Sequence, residues 1–203
     1  MSPTATPKLA NTKQTAAPLP GGYTGKLLRV NLSTGKVWTE AWRPEVMREQ
    51  LGGIGLGAHI LWNEVPAKAH WDHPENRLIL ATGPLAGLPV WGTGGLTVVT
   101  RGAMTDGATS TNANGFFGAA LKYSGYDSII VQGQAKAWSY LYINDDVVEV
   151  RDAAHLAGKD TWETQQAHEA EHGLAGHRLS VYAIGPAGEN LVRFAAIHGD
   201  YGH

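Results

Sequence analysis

The residues best suited to chemistry lie between positions 83 and 127, where glycine alternates with hydroxyl and amide side chains. Glycine loses more backbone entropy on folding than any other residue, so this density indicates positive-φ turns or places where a ligand approaches the backbone. The segment is therefore predicted to present main-chain N–H and C=O groups to a polar, phosphorylated ligand. The hydroxyl and amide residues between the glycines are Thr93, Thr97, Thr100, Thr105, Thr109, Ser110, Thr111, Asn112 and Asn114.

The most specific part of this segment runs from Asn112 to Gly118, between a predicted polar loop and a predicted helix over 116–123. Such a junction offers free N–H groups and the positive end of a helix dipole to a phosphate. Asn112 and Asn114 carry oxygens of the kind that Mg²⁺ prefers, and Thr93-Gly94-Gly95 provides a second candidate N–H cradle. The same residues also fit a pair of tight turns, and both interpretations stay open.

A second glycine cluster, Gly52-Gly-Ile-Gly-Leu-Gly57, contains G-x-G-x-G. A dinucleotide loop needs a preceding strand and G-x-G-x-x-G spacing. Here a predicted helix precedes the cluster and the spacing differs, so a linker between two helices is favoured.

The stretch His168-Glu-Ala-Glu-His172 matches H-E-x-x-H, in which His168 and His172 would bind Zn²⁺ and Glu169 would act as general base. Gly173 ends the predicted helix immediately, no third ligand has the usual spacing, and the neighbouring residues are polar. A solvated helix face is therefore favoured over a zinc peptidase.

The elements that must position these residues are short strands and helices separated by turns. The pattern predicts β-hairpins at 25–40 and 139–151, helices at 45–51, 56–64 and 161–172, and strands at 78–82, 96–100, 128–132, 179–184 and 191–197. The segments beginning at Arg77 and Arg178 resemble each other, since both are a strand followed by a Gly-Pro turn. Either an internal duplication or a common turn explains this similarity.

Composition excludes several classes of protein. The chain has 203 residues, 43% hydrophobic and 17% charged, with a net charge of −2, so no basic field gathers nucleic acid or an anionic membrane. No apolar run approaches the roughly 18 residues of a membrane span. There is no cysteine, which excludes disulfides and cysteine-ligated metal within these residues and fits a cytoplasmic location. Residues 1–21, with four prolines, are predicted to be a disordered tail or linker.

Several longer stretches together resemble the N-terminal domain of the aldehyde:ferredoxin oxidoreductase family. They are GYTGKLLRVNLSTG, LGGIGLGAHILWNEVP, PENRLILATGPLAG, LTVVT, NGFFGAALKYSGYDSIIVQG, YLYINDDVVEVRDAAHLAGK and IGPAGENLVRFAAI. The resemblance covers about residues 22–199, in order and with similar spacing. YLYINDDVVEVRDAAHLAGK also looks like the class II benzoyl-CoA reductase branch, which leaves the substrate open between an aldehyde or oxo group and an aromatic acyl-CoA.

The resemblance implies an α+β domain over 22–203, with two β-sheets and flanking helices related by a pseudo-two-fold. In the family these sheets form a saddle under a tungsten or molybdenum ion held by two pterin dithiolenes. Asn112 falls where a backbone carbonyl helps bind the Mg²⁺ that links the two pterin phosphates. Asn114 and Gly115 fall in the adjoining phosphate- and pterin-contacting turn, and Gly94 and Gly95 are expected to hold phosphate.

Three departures accompany the resemblance. The family commonly has an arginine after a Gly-Gly pair, whereas this chain has Gly94-Gly95-Leu96, with Arg101 the nearest arginine. The Asn114 position is usually glycine. The family's helical domains, which carry the cysteines of a 4Fe–4S cluster, are not in this sequence.

These departures lead to expectations about partners. The chain is expected to be an N-terminal piece that needs further domains or a complementary subunit, and a ferredoxin or other electron-transfer subunit. It is also expected to form homo- or hetero-oligomers and to lack oxidoreductase activity alone. The competing hypothesis is a cofactor-free binding or assembly module with the same fold.

Overall fold

The computed structural model describes residues 19–202, which form one six-stranded sheet, two two-stranded sheets and flanking helices. The strands are β1 (Lys26–Asn31), β2 (Lys36–Ala41), β3 (Arg77–Ala81), β4 (Leu96–Arg101), β5 (Ala108–Ala113), β6 (Ser128–Gln132), β7 (Ser139–Asn144), β8 (Val147–Asp152), β9 (Tyr182–Ala183) and β10 (His198–Gly199). The α-helices are α1 (Pro44–Gln50), α2 (Gly53–Glu64), α3 (Phe117–Tyr123), α4 (Thr161–His172) and α5 (Pro186–Glu189), with 3₁₀ turns at Ala154–Leu156 and Gly176–Arg178.

The six-stranded sheet has the order β2-β1-β6-β3-β4-β5. Strands β1 and β6 are parallel, and every other neighbouring pair in this sheet is antiparallel. The central strands are apolar on both faces because both faces are covered. On β3, Ile79 belongs to one core cluster while Leu80 belongs to the other.

Helices α1 and α2 cover one face of this sheet, through side chains that include Met47, Leu56 and Ile60. The opposite face packs against Leu121 of α3 and side chains of the β7–β8 hairpin such as Leu141. The sheet is therefore the middle layer, and its edge strand β5 is exposed along nearly all its length.

A buried ion pair fixes α3 to the start of β6. The Lys122 ammonium contacts the carboxylate of Asp127, and these side chains are 7% and 0% exposed. The same carboxylate accepts hydrogen bonds from the main-chain N–H groups of Thr24 at 3.1 Å and Gly25 at 2.8 Å. Asp127 therefore joins the entry to β1, helix α3 and β6 at one point.

A second ionic cluster lies beside the sheet, where Arg29 of β1 meets Glu64 at the end of α2. Two guanidinium nitrogens of Arg29 donate to the Glu64 carboxylate at 2.8 and 2.6 Å, and Arg77 Nε donates to it at 3.1 Å. Burial alone raises the pKa of Glu64, but the hydrogen bonds and charges of the two arginines outweigh it and lower the pKa.

The predicted fold class is confirmed, since the chain is a mixed α/β fold with more than one sheet and flanking helices. The sheets differ in size, because strands β1 to β6 form the six-stranded sheet, whereas strands β7 to β10 form only the pairs β7–β8 and β9–β10. The predicted strand at 179–184 is reduced to Tyr182–Ala183. The strand predicted at 191–197 is wrong, because Leu191 adopts φ 55° and the segment consists of turns and irregular structure.

The predicted loop before Asn112 and the predicted linker at Gly52–Gly57 were also wrong. The polar loop before Asn112 is largely strand β5, which pairs with β4 along its whole length. Most of the predicted helix–helix linker Gly52–Gly57 is the first part of α2. Glycine is required there because a Cβ at position 57 would overlap the side chain of Val99 on β4, so its absence lets the helix approach the sheet.

The predicted tail, residues 1–21, lies outside the described residues except for Leu19, Pro20 and Gly21. Within residues 19–202, no helix has the length and apolar character that crossing a membrane requires.

Candidate functional site

The two glycine-rich segments of the predicted site touch each other through their backbones. A Cβ atom at Gly94 would collide with the carbonyl oxygen of Gly115. A Cβ at Gly118 would lie 2.8 Å from the carbonyl oxygen of Gly95 and 3.0 Å from that of Gly94. A side chain is therefore excluded at Gly94 and at Gly118, whereas a Cβ at Gly95 would meet no atom within 4 Å. The structure brings together Gly94, Gly95 and Gly115, three residues predicted for the site.

Asn112 and Asn114 lie just before Gly115 in the chain, and both residues are exposed. Asn112 lies opposite Thr97 in the β4–β5 pair, and the Thr97 hydroxyl donates to its amide oxygen at 2.9 Å. The main-chain carbonyl of Asn114 accepts a 2.5 Å hydrogen bond from the Tyr182 hydroxyl. The Asn112 side chain is thus held by Thr97 of the neighbouring strand β4. The binding of Mg²⁺ by the main-chain carbonyl of Asn112 stays a prediction.

A buried carboxylate holds the start of α3 in place. Asp200 is 5% exposed, and its Oδ2 accepts from the main-chain N–H of Phe116 at 2.8 Å. The Ser180 hydroxyl lies 2.7 and 2.9 Å from the two carboxylate oxygens of Asp200 and donates to them. The turn from Asn114 to Phe116 is therefore fixed from outside its own segment.

Tyr182 is the second external support of this turn. Its ring packs against that of Phe117 with centroids 4.7 Å apart. Burial, and then the charge of Asp200, raises the pKa of Tyr182 to about 12, so the phenol is a neutral donor at physiological pH. Sequence reasoning missed Tyr182 and Asp200 as parts of the site, because their contacts join residues 68 and 84 positions apart.

Leu96 stands where the family commonly has an arginine after a Gly-Gly pair, and Arg101 is the nearest arginine to it. Leu96 is 1% exposed and belongs to the core, so its side chain is turned away from any surface ligand. The Arg101 guanidinium donates to the main-chain carbonyl of Ala67 at 3.1 Å. Arg101 is therefore directed to the loop after α2 and does not replace an arginine beside Gly95.

The loop leading into Gly94 exposes several large apolar side chains. Trp91 is fully exposed, and its neighbours Leu85, Leu88 and Val90 are also exposed. Exposed apolar clusters of this kind commonly mark surfaces that another protein segment covers.

The H-E-x-x-H helix does not form the solvated face that the sequence favours. His168 is buried, and burial is the main reason that its pKa is lowered. Glu169, the predicted general base, is engaged elsewhere, since its carboxylate accepts from the Tyr201 hydroxyl at 2.8 Å and from Gln165 at 3.4 Å. The carboxylate that approaches both histidines is instead that of Glu171.

Comparison with known proteins shows the family to which the chain belongs. The model of the aldehyde ferredoxin oxidoreductase N-terminal domain matches residues 27–203. The chain therefore belongs to the aldehyde ferredoxin oxidoreductase family, as the sequence motifs predict.

Individual relatives agree with this assignment. The tungsten-containing aldehyde ferredoxin oxidoreductase of Thermococcus kodakarensis is 47% identical over 182 residues, which are 90% of this chain and 30% of that protein. The enzyme of the same name from Pyrococcus furiosus is 43% identical, with the same coverage of 90% and 30%. The active-site complex BamBC of benzoyl coenzyme A reductase, solved with 1,5-dienoyl-CoA, matches with a TM-score of 0.84 and 40% identity, over 88% of this chain and 27% of that one. The chain thus spans less than a third of the length of these relatives.

Proposed function

We propose that this chain supplies part of the seat for a tungsten or molybdenum bis-pterin cofactor in an oxidoreductase. The observation that carries the proposal is the backbone contact of Gly94 and Gly95 with Gly115 and Gly118, in which a Cβ atom is excluded at Gly94 and at Gly118. Beside this contact, Gly94, Gly95 and Gly115 are only partly buried and a Cβ at Gly95 would meet no atom within 4 Å, so a bulky, anionic ligand can approach the backbone there.

The residues around this contact fit the phosphate end of such a cofactor. The exposed side chains of Asn112 and Asn114 present amide groups, and main-chain carbonyls are suitable ligands for Mg²⁺. The Asp200 and Tyr182 hydrogen bonds hold the turn in one conformation, which lowers the entropy lost on binding. When bound, the cofactor would supply the redox chemistry, while this chain binds and orients it.

The charge of the phosphates would be met by Mg²⁺ and main-chain N–H groups rather than by Arg101, which contacts the loop after α2. This direction of Arg101 also favours the second candidate function, a cofactor-free binding or assembly module of the same fold. The two candidates differ in one measurable property, the presence of tungsten or molybdenum together with a pterin.

The substrate and partners are proposed from the relatives. An aldehyde or other oxo compound is suggested by the named enzymes, and an aromatic acyl-CoA by the benzoyl-CoA reductase complex. Further domains or a complementary subunit would carry the 4Fe–4S cluster and deliver electrons to ferredoxin or another electron-transfer subunit in the cytoplasm. The exposed Trp91 and Phe194 support a surface that such a domain or subunit covers.

The proposal is tested by the metal and pterin content of the complex that contains this chain. The chain is produced anaerobically, together with the further domains or subunit proposed to complete the seat, in a host that makes the cofactor. Tungsten and molybdenum are measured by mass spectrometry, and pterin by fluorescence after oxidation. We expect metal and pterin in a fixed ratio, and at least about fivefold less of both in Gly94→Val, because forcing atoms into a packed contact costs roughly 1–3 kcal/mol.

The matched control is Gly21→Val, since a Cβ at Gly21 meets no atom within 4 Å. This variant should retain the wild-type content of metal and pterin. A wild-type protein that is folded but carries neither metal nor pterin would contradict the cofactor proposal and support the assembly module.

A further inference from the structure

Three histidines and one glutamate come together where the end of α4 meets the 3₁₀ turn Ala154–Leu156. His168, Glu171 and His172 each offer one ligand atom, and these atoms lie within 4.8 Å of one another. Glu171 Oε2 is 3.5 Å from His168 Nδ1 and 4.0 Å from His172 Nε2. His155 reaches the same carboxylate oxygen from the 3₁₀ turn, with its Nε2 at 3.8 Å. Four potential ligand groups thus converge from two segments of the chain.

The surrounding side chains hold these groups in place. The Tyr140 hydroxyl donates to Glu171 Oε1 at 2.9 Å, which leaves Oε2 facing the histidines. The Tyr140 ring lies edge-on to His168 at 4.6 Å, and the Tyr142 ring stacks on His172 at 4.9 Å. Hydrogen bonds and packing of this kind around ligand side chains orient them for a metal.

The position on the helix also favours a cation. His168, Glu171 and His172 all lie in the last turns of α4, whose C-terminus carries the negative end of the helix dipole. Imidazole nitrogens with one carboxylate are a ligand set that suits Zn²⁺ and neighbouring divalent transition metals. The side chains of His155 and Glu171 are 51% and 38% exposed, so an ion can enter from solvent.

We propose that His155, His168, Glu171 and His172 form a binding site for a divalent transition-metal ion of the zinc type. The ion would cross-link α4 to the 3₁₀ turn that follows β8, and would thereby stabilise the second half of the domain. This site differs from the peptidase arrangement considered from the sequence, because its carboxylate ligand is Glu171 and its role is structural. It is also independent of the pterin proposal, since it shares no residue with that site.

The test titrates Zn²⁺ into the chelator-treated 203-residue protein, followed by calorimetry and thermal unfolding. We expect one ion per chain and a melting temperature that rises with Zn²⁺ concentration, as linkage requires for a ligand of the native state. Co²⁺ in place of Zn²⁺ should give the intense visible bands of a four-coordinate site. Glu171→Gln and His172→Asn should each weaken binding at least about 100-fold, because each removes a direct ligand. Loss of a residue that only orients a ligand already lowers metal affinity by about 10–100-fold.

The control is His177→Asn, which removes an exposed imidazole outside the cluster and should leave the affinity unchanged. Glu171→Gln keeps an oxygen for the Tyr140 hydrogen bond and avoids the buried His168, so the variant is expected to fold. Absence of stoichiometric binding by the wild type, or equal affinity in Glu171→Gln and His177→Asn, would overturn the proposal.

Discussion

Replacing Asp127 by asparagine should destabilise the domain strongly, because it leaves the Lys122 ammonium buried without a counter-charge. The two side chains are 0% and 7% exposed, and breaking a buried pair on one side costs about 3–5 kcal/mol. For a domain of this size each kcal/mol lowers the melting temperature by about 2–4 °C, so we expect a decrease of roughly 6–20 °C. The asparagine oxygen can still accept from Gly25, but the amide nitrogen that replaces the second oxygen cannot accept from Thr24, so this hydrogen bond is lost together with the charge.

Thermal and urea unfolding followed by circular dichroism measure this effect. The matched control is Glu149→Gln, which breaks the more exposed pair with Arg151 and should cost less than about 1 kcal/mol. The double variant Lys122→Met/Asp127→Asn should lose less stability than the two single changes added together, because neither charge is then left alone. The reasoning is refuted if Asp127→Asn unfolds at the same temperature as Glu149→Gln.

Three other perturbations have expected outcomes. Because the pKa of Glu64 is lowered in the folded protein, its contribution to stability is present above the unfolded value of 4.5 and is lost as pH falls through the folded pKa. Glu64→Gln should therefore reduce the acid dependence of urea unfolding below about pH 5. An unchanged pH profile would contradict this. Tyr182→Phe should cost about 1 kcal/mol in chemical unfolding and speed amide exchange at Gly115, since it removes the hydrogen bond to Asn114. Wild-type stability should also fall between the unfolded pKa of 10.0 and the folded pKa of about 12, and Tyr182→Phe should lack this loss in alkaline unfolding. Gly118→Ala should cost about 1–3 kcal/mol, because the new methyl group meets the carbonyls of Gly94 and Gly95; a melting temperature equal to wild type would show that the contact is loose.

Much of the fold could be predicted from local sequence patterns. The hairpins, the helix at Pro44 and the apolar strands β3, β4 and β6 have strong periodicity or turn residues at both ends. Strand β5 was missed because an exposed edge strand of Thr, Ser and Asn residues has no apolar alternation. The start of α2 was missed because glycine is a poor helix former, and it is used there for close packing against Val99.

The candidate site was predictable only in part. Glycine density located the segments around Gly94 and Gly115, since that signal is local. Their contact with each other, and the supports from Tyr182 and Asp200, depend on residues far apart in the chain. The His168 environment was misjudged for the same reason, because Tyr140, whose ring packs against His168, belongs to the β7–β8 hairpin.

The parallel pairing of β1 with β6 has a consequence for how the protein is made. Strand β1 ends at Asn31, and its partner β6 begins at Ser128. At a synthesis rate of about 5–20 residues per second, strand β1 leaves the ribosome roughly 5–20 s before its partner β6 is available. During this interval the apolar side chains of Leu27, Leu28 and Val30, all buried in the finished sheet, are exposed to chaperones and to neighbouring nascent chains.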